Sequence, residues 1–227
     1  MNRAAFFDLD GTLLRENSGK LWFQRERAAG RLSRTVALEA AFWLGLYGLG
    51  LMRASTALGR AARTLEGLKE EDIERRSREF FREDLVPLFA PGGLAAIQAH
   101  KEAGDQVVLL TSSSIYLGRC VQEHLDLDDI LTMRFSVEDG RFTGCVDTLC
   151  YGSSKVTVAE EWAASADVQL DTCWFYTDSI TDLPMLERVG RAMVVQPDHR
   201  LARAAKKRGW PVLDWNSHTA NEVLQSV

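Results

Sequence analysis

Ala4-Ala5-Phe6-Phe7-Asp8-Leu9-Asp10-Gly11-Thr12-Leu13-Leu14 decides how this chain is read. The apolar run is short and rich in Phe, which predicts a buried strand. It runs into two carboxylates followed by Gly11, a residue that lets the backbone turn sharply. In open α/β sheets, reactive groups gather where strands deliver their carboxyl ends. Asp8 and Asp10 are two apart, so both side chains share one face for as long as strand geometry lasts. Carboxylates that close repel, and one pKa rises unless a cation sits between them. A hard cation such as Mg²⁺ takes oxygen ligands from one or two carboxylates plus substrate phosphate. A strand followed by a plain acidic turn is the alternative, and the rest of the chain decides against it.

Working outward, 227 residues at 46% hydrophobic suffice for one sizeable core and a smaller module. A net charge of −5 gives no reason to expect nucleic acid as a partner. The charge is unevenly spread: residues 15–83 carry 14 Lys/Arg against 10 Asp/Glu, a balance of +4. A basic insert facing an acidic core suits capture of an anionic substrate, with a solvated helical face as the alternative. Cys120, Cys145, Cys150 and Cys173 form no C-x-x-C pair and no zinc spacing, which predicts reduced, buried thiols in a cytoplasmic protein. Met1-Asn2-Arg3 leads straight into the first strand, with no signal peptide expected. Ala40 to Met52 is uncharged for 13 residues between Glu39 and Arg53, short of the ~20 needed to span a bilayer. A buried helix is expected there, membrane-surface contact being the alternative, and no stable membrane insertion.

From residue 15 to about 86 the pattern is helical: Ser18 caps a run to about Ala29, Ser33 caps the next, and Lys69 to Leu85 is amphipathic. Pro87 and Pro91-Gly92-Gly93 mark the return to the main domain. Strands and helices then alternate, as a parallel sheet requires. A helix over 94–103 precedes a strand over 106–111, and Ser112-Ser113-Ser114 starts a helix to about Leu125. Strands over 131–137 and 142–148 flank Asp139-Gly140, a hairpin signal. A helix over 154–166, strands over 172–177, 192–195 and 212–213, and helices over 181–188 and 198–207 complete the α/β pattern.

Three strand ends thus carry polar chemistry: Asp8 with Asp10, Thr111, and Asp178 with Asp182. Lys155 falls in the first turn of its helix, where the dipole disfavours a cation. Singly, each has a plain reading as a cap or a surface group. Together, in this order and each at a strand-to-helix junction, they resemble the four motifs of the haloacid dehalogenase-like (HAD) phosphohydrolases. The helical insert between the first and second motifs resembles the C1-type cap of the phosphoserine-phosphatase-like branch, subfamily IB.

That resemblance covers nearly the whole chain. It implies a Rossmann-like core (residues 1–14 and 86–227) with helices on both faces, and an inserted all-helical cap (15–85). It also implies Mg²⁺ and phosphoryl transfer through an aspartyl-phosphate. Asp8 matches the nucleophile and Asp10 the general acid and base. Mg²⁺ would be held by the Asp8 carboxylate, the Asp10 carbonyl and Asp178, with Asp182 anchoring metal waters or orienting Lys155. Thr111, the Ser112 N–H and Lys155 would hold the phosphoryl oxygens, beside Gly11.

Two positions depart from the pattern. Phosphoserine phosphatases carry a Glu after the first motif that contacts the substrate amine; here Asn17 takes the matching position, beside Glu16. Thr181 stands where Asn usually precedes the final Asp. The expected activity is hydrolysis of a small phosphorylated metabolite, such as an amino-acid or amino-alcohol phosphate, by a monomer or homodimer. A phosphotransferase on the same scaffold and a lysolipid phosphatase are the alternatives. Trp22, Phe23, Phe42, Trp43 and Tyr47 fit helix packing, or an aromatic surface for substrate.

Overall fold

In the computed structural model, residues 2–31, 59–60 and 62–216 are described. Seven strands form one sheet in the order β4-β3-β2-β1-β5-β6-β7. They are β1 (Ala4–Phe7), β2 (Gln106–Ser114), β3 (Asp129–Glu138), β4 (Arg141–Thr148), β5 (Trp174–Thr177), β6 (Arg191–Val195) and β7 (Val212–Leu213). Every pairing is parallel except β3 with β4. Central β1 lies between β2 and β5, with Phe7 opposite Leu109 on one side and Tyr176 on the other. All four of its residues are fully buried, as a strand covered on both faces must be.

The two-residue period divides the core. Ala5 and Phe7 face one layer, packed by α3 (Pro91–Glu102) and α4 (Ile115–Leu125); Ala4 and Phe6 face another, packed by α5 (Ser154–Ser165), α6 (Leu183–Arg188) and α7 (His199–Arg208). Helices therefore cover both faces of an α/β sheet of Rossmann-like type, as the sequence predicts. Behind β5, His100 is fully buried with Nδ1 2.8 Å from Asp105 and Nε2 2.9 Å from the Tyr176 hydroxyl.

Between β1 and β2 lie α1 (Ser18–Ala28) and α2 (Glu70–Phe80); the latter continues through a π-turn over Phe81–Leu85. Several of the arginines in and beside these helices are held in ion pairs. Arg25 bonds Glu83 at 2.7 Å and also Asp84, while Glu26, 4% exposed, takes Arg31 at 2.8 Å and also Arg76. These pairs tie several of the segment's arginines to its own acids, while the segment's balance of +4 is unchanged. The uncharged run Ala40–Met52, with Phe42, Trp43 and Tyr47, lies outside the described residues, as does the helix expected from Ser33. Among the described residues no helix is long and apolar enough to cross a membrane.

Several boundaries differ from the sequence reading. The serine triplet stays extended: Ser114 is both the last residue of β2 and the N-cap of α4, which begins at Ile115 rather than within the triplet. Pairing with β3 runs to Leu110, breaks at a bulge and resumes at Ser114 opposite Met133, so Ser112 and Ser113 lie in the bulge. Asn17, not Ser18, caps α1, its Oδ1 accepting from the Lys20 N–H at 2.8 Å. Pro91 does not merely break the chain; it opens α3, where its missing N–H costs nothing. Asp139 and Gly140 both have positive φ (49° and 70°), as a tight hairpin turn demands. All four cysteines are free, but Cys145 is exposed rather than buried, because it sits on edge strand β4.

Candidate active site

Parallel strands β1, β2 and β5 end side by side, so their carboxyl ends deliver Asp8, Thr111 and Asp178 to one edge of the sheet. The Asp8 N–H still bonds the Tyr176 carbonyl at 2.9 Å, after which the chain leaves the sheet. Gly11 (φ +74°) makes the turn and Leu14 N–H returns to the Leu9 carbonyl at 2.8 Å. Strand geometry ends at Phe7, so Asp8 and Asp10 find different partners despite their two-residue spacing.

Asp8 meets Lys155. From the first turn of α5, Lys155 Nζ donates to Asp8 Oδ1 at 3.0 Å and to Asp182 Oδ2 at 2.8 Å. Thr177 Oγ1 donates to the same Asp182 oxygen at 2.8 Å. Lys155 and Asp182 are each 2% exposed. Burial works against the Lys155 charge, and the carboxylates of Asp182 and Asp8 more than offset it, raising its pKa. The position that looked unfavourable beside a helix start is explained by these two anions. Of the two roles open to Asp182, contact with Lys155 is the one visible in the geometry.

Asp10 turns towards the segment between β1 and β2. Its Oδ1 accepts the Ser18 N–H at 2.6 Å and its Oδ2 the Ser113 hydroxyl at 3.3 Å. Burial raises its pKa, and the hydrogen bonds from Ser18 and Ser113 offset only part of the rise. Neither serine stood out in the sequence as a partner of Asp10. The only sign was the run Ser112-Ser113-Ser114, whose middle member now points at Asp10 because β2 stays extended. Thr111 is fully buried, and its Oγ1 accepts the Ser113 N–H at 3.1 Å, leaving the hydroxyl proton to donate elsewhere.

Asp178 is half-buried, with Thr12 Oγ1 donating to its Oδ1 at 3.4 Å. A Cβ built on Gly11 would lie 2.3 Å from Asp178 Oδ2, so only glycine admits this carboxylate against the turn that follows Asp8. Burial, reinforced by neighbouring carboxylates, pushes Asp8 up to about 8 and Asp178 up to about 7. Among the described residues no three His, Cys, Asp or Glu side chains form a self-sufficient metal cage. Two crowded carboxylates pressed against a glycine turn nevertheless fit a hard divalent cation that completes its shell with carbonyl, water and substrate oxygens.

Beside Asp10 opens a cavity of about 440 Å³. Trp22, Phe23, Phe80, Leu117, Met133 and Phe135 supply apolar wall; Asn17, Ser18, Ser112, Ser113 and Ser114 supply polar groups. Trp22 also packs edge-on against Phe80 at 5.4 Å, so packing and cavity lining coincide in one side chain. Asp10 is the only charged residue among the described lining. The larger opening of about 610 Å³ between α2 and α4 touches none of these groups.

A buried lysine thus stands between two carboxylates at the carboxyl edge of a parallel α/β sheet. The chain belongs to the haloacid dehalogenase-like hydrolases, whose family model matches residues 5–187. It is 35% identical over 216 residues to a probable phosphatase of Mycobacterium tuberculosis, covering 94% of this chain and 75% of that one. A histidinol-phosphatase of Neisseria meningitidis is 29% identical over 222 residues, with 95% of this chain and 100% of the relative covered. A solved phosphoserine phosphatase carrying a phospho-aspartyl intermediate analogue shares the fold, with a TM-score of 0.70 at 19% identity over 99% of this chain and 98% of its own.

Proposed function

We propose that this enzyme hydrolyses a small phosphomonoester in two displacements at phosphorus, with Asp8 as nucleophile and Mg²⁺ as cofactor. The observation that carries this reading is Lys155 bridging Asp8 and Asp182 at 3.0 and 2.8 Å in a buried site. Lys155 favours the ionised form of Asp8 against burial and aims it, and Asp182 holds Lys155 in place. An Asp8 oxygen attacks phosphorus while Asp10 gives a proton to the departing ester oxygen. Asp10 then takes a proton from the water that displaces Asp8. Thr111, with its hydroxyl proton unspent, the Ser112 N–H and Lys155 hold the phosphoryl oxygens. Asp8, Asp178 and the Asp10 carbonyl would hold Mg²⁺, which supplies charge neutralisation at the phosphoryl group when bound.

Residues 15–85 act as the cap that selects the leaving group. The described cavity wall offers apolar and aromatic surface and no Arg or Lys to pair a substrate carboxylate. This favours an amino-alcohol phosphate over an amino-acid phosphate. Histidinol phosphate is the first compound to test, given the name of the Neisseria relative. A cytoplasmic location belongs to this reading, supported by four free thiols that a reducing compartment would keep reduced. The test is release of inorganic phosphate from histidinol phosphate, phosphoserine and a lysolipid phosphate, with Mg²⁺ or with EDTA. Turnover should need Mg²⁺ and vanish in Asp8→Asn. Activity that survives in that variant refutes the nucleophile assignment, and phosphate appearing on an added alcohol rather than free identifies a transferase.

A further inference from the structure

Asp10 must serve in two protonation states without changing direction. In the first displacement the Asp8–phosphorus bond forms, the ester P–O bond breaks, and the Asp10 proton passes to the leaving oxygen, so a neutral alcohol departs. In the second, water oxygen bonds phosphorus, the Asp8–phosphorus bond breaks, and Asp10 takes up the water proton. A carboxyl free to rotate would lose alignment in both steps.

We propose that Ser18 and Ser113 are positioning residues that hold the Asp10 carboxyl for this proton transfer, one from α1 and one from the end of β2. This inference rests on the reading of Asp10 as general acid and base. The Ser18 N–H reaches Oδ1 at 2.6 Å, and the Ser113 hydroxyl reaches Oδ2 at 3.3 Å. The two serine hydroxyls lie 3.2 Å apart, which joins the two elements directly. Ser18 is the first residue of α1, so its N–H has no carbonyl partner within the helix and is free for Asp10. That N–H only donates and therefore fixes Oδ1. The Ser113 hydroxyl can donate to a carboxylate or accept from a carboxylic acid, so it follows Oδ2 through both states. The proton donor is thus aligned from both sides of the cavity mouth: by a helix of the segment that selects substrate, and by the strand that carries Thr111.

The backbone donor can be removed without breaking the helix. Proline is favoured at the first helical position, and Asn17 (φ −84°, ψ 115°) already has the extended conformation that a residue before proline needs. Ser18→Pro deletes the N–H, whereas Ser18→Ala deletes only the hydroxyl. Ser113→Ala deletes the second donor, and Ser113→Thr restores it. The assay is kcat/KM on phenyl phosphate and on p-nitrophenyl phosphate, because phenolate is the poorer leaving group and depends more on the Asp10 proton. Ser18→Pro and Ser113→Ala should each lose at least about tenfold more on phenyl phosphate than on p-nitrophenyl phosphate. Ser18→Ala should lose less than Ser18→Pro, and Ser113→Thr should recover most of the difference. Equal losses on the two substrates, or no loss in either donor deletion, overturn the proposal. If Ser18→Pro fails to fold by circular dichroism, Ser113→Ala with the same readout decides it. A wild-type protein inactive on both esters refutes instead the phosphatase reading beneath it.

Discussion

Replacing Lys155 with Met keeps the length of the side chain and deletes the charge that two buried carboxylates share. Asp182 is 2% exposed and would retain only the Thr177 hydroxyl among its observed partners, while Asp8 would lose its cation altogether. Removing one partner of a buried ion pair costs about 3–5 kcal/mol, because the orphaned charge stays in a medium that solvates it poorly. In a chain of this size each kcal/mol moves the melting midpoint by about 2–4 °C, so Lys155→Met should melt about 6–20 °C lower. Asp182→Asn removes one of the stranded charges, so the double variant should be more stable than the sum of the two single losses by at least about 1 kcal/mol. The measurement is urea and thermal unfolding of wild type, both single variants and the double variant, in EDTA so that no metal ion replaces the lysine. Turnover should be lost in all three variants, since each breaks the Asp8–Lys155–Asp182 arrangement. A loss below about 1 kcal/mol in Lys155→Met, with additive effects in the double variant, refutes the view that Lys155 compensates these carboxylates.

Gly11→Ala should leave the protein folded but abolish turnover and the Mg²⁺-dependent rise in melting temperature. The new Cβ would stand 2.3 Å from Asp178 Oδ2 and force a φ of +74° that costs an L-residue about 1–2 kcal/mol; an undiminished Mg²⁺ shift in thermal melting counts against this geometry. His100 tests the core behind the site: burial lowers its pKa, with the Asp105 carboxylate pulling the other way. As pH falls below about 6.5 the unfolded chain takes up a proton that folded His100 refuses, so stability should fall by up to about 1.4 kcal/mol per pH unit until the folded pKa is reached. His100→Asn should flatten that slope between pH 5 and 7 in urea unfolding, and an unchanged slope would locate the acid sensitivity elsewhere.

What local sequence determined here is whatever depends on near neighbours. The run Ala4–Phe7 could only be a buried strand, Asp139-Gly140 could only be a tight turn, and the alternation after residue 90 could only pay for its apolar faces in a parallel sheet. Because such a sheet gathers its strand ends, the sequence alone directs Asp8, Thr111 and Asp178 to one edge of it. Contacts set by side-chain direction across long separations were not legible. Asp10 looked like a twin of Asp8, yet the turn at Gly11 sends one carboxylate to Lys155, 147 residues on, and the other to Ser18 and Ser113. The serine triplet read as a helix start because capping is local; Ser114 does take the N-cap position, but the bulge that carries Ser112 and Ser113 is set by how β2 meets β3. The positive balance of residues 15–83 read as a lure for anions; ion pairs such as Arg76 with Glu26 leave that balance at +4 but hold individual arginines against partners within the segment. Charge counts and periodicities record what a segment can do alone. Which donor meets which acceptor depends on how segments far apart in sequence are stacked, and only the packed tertiary structure decides that.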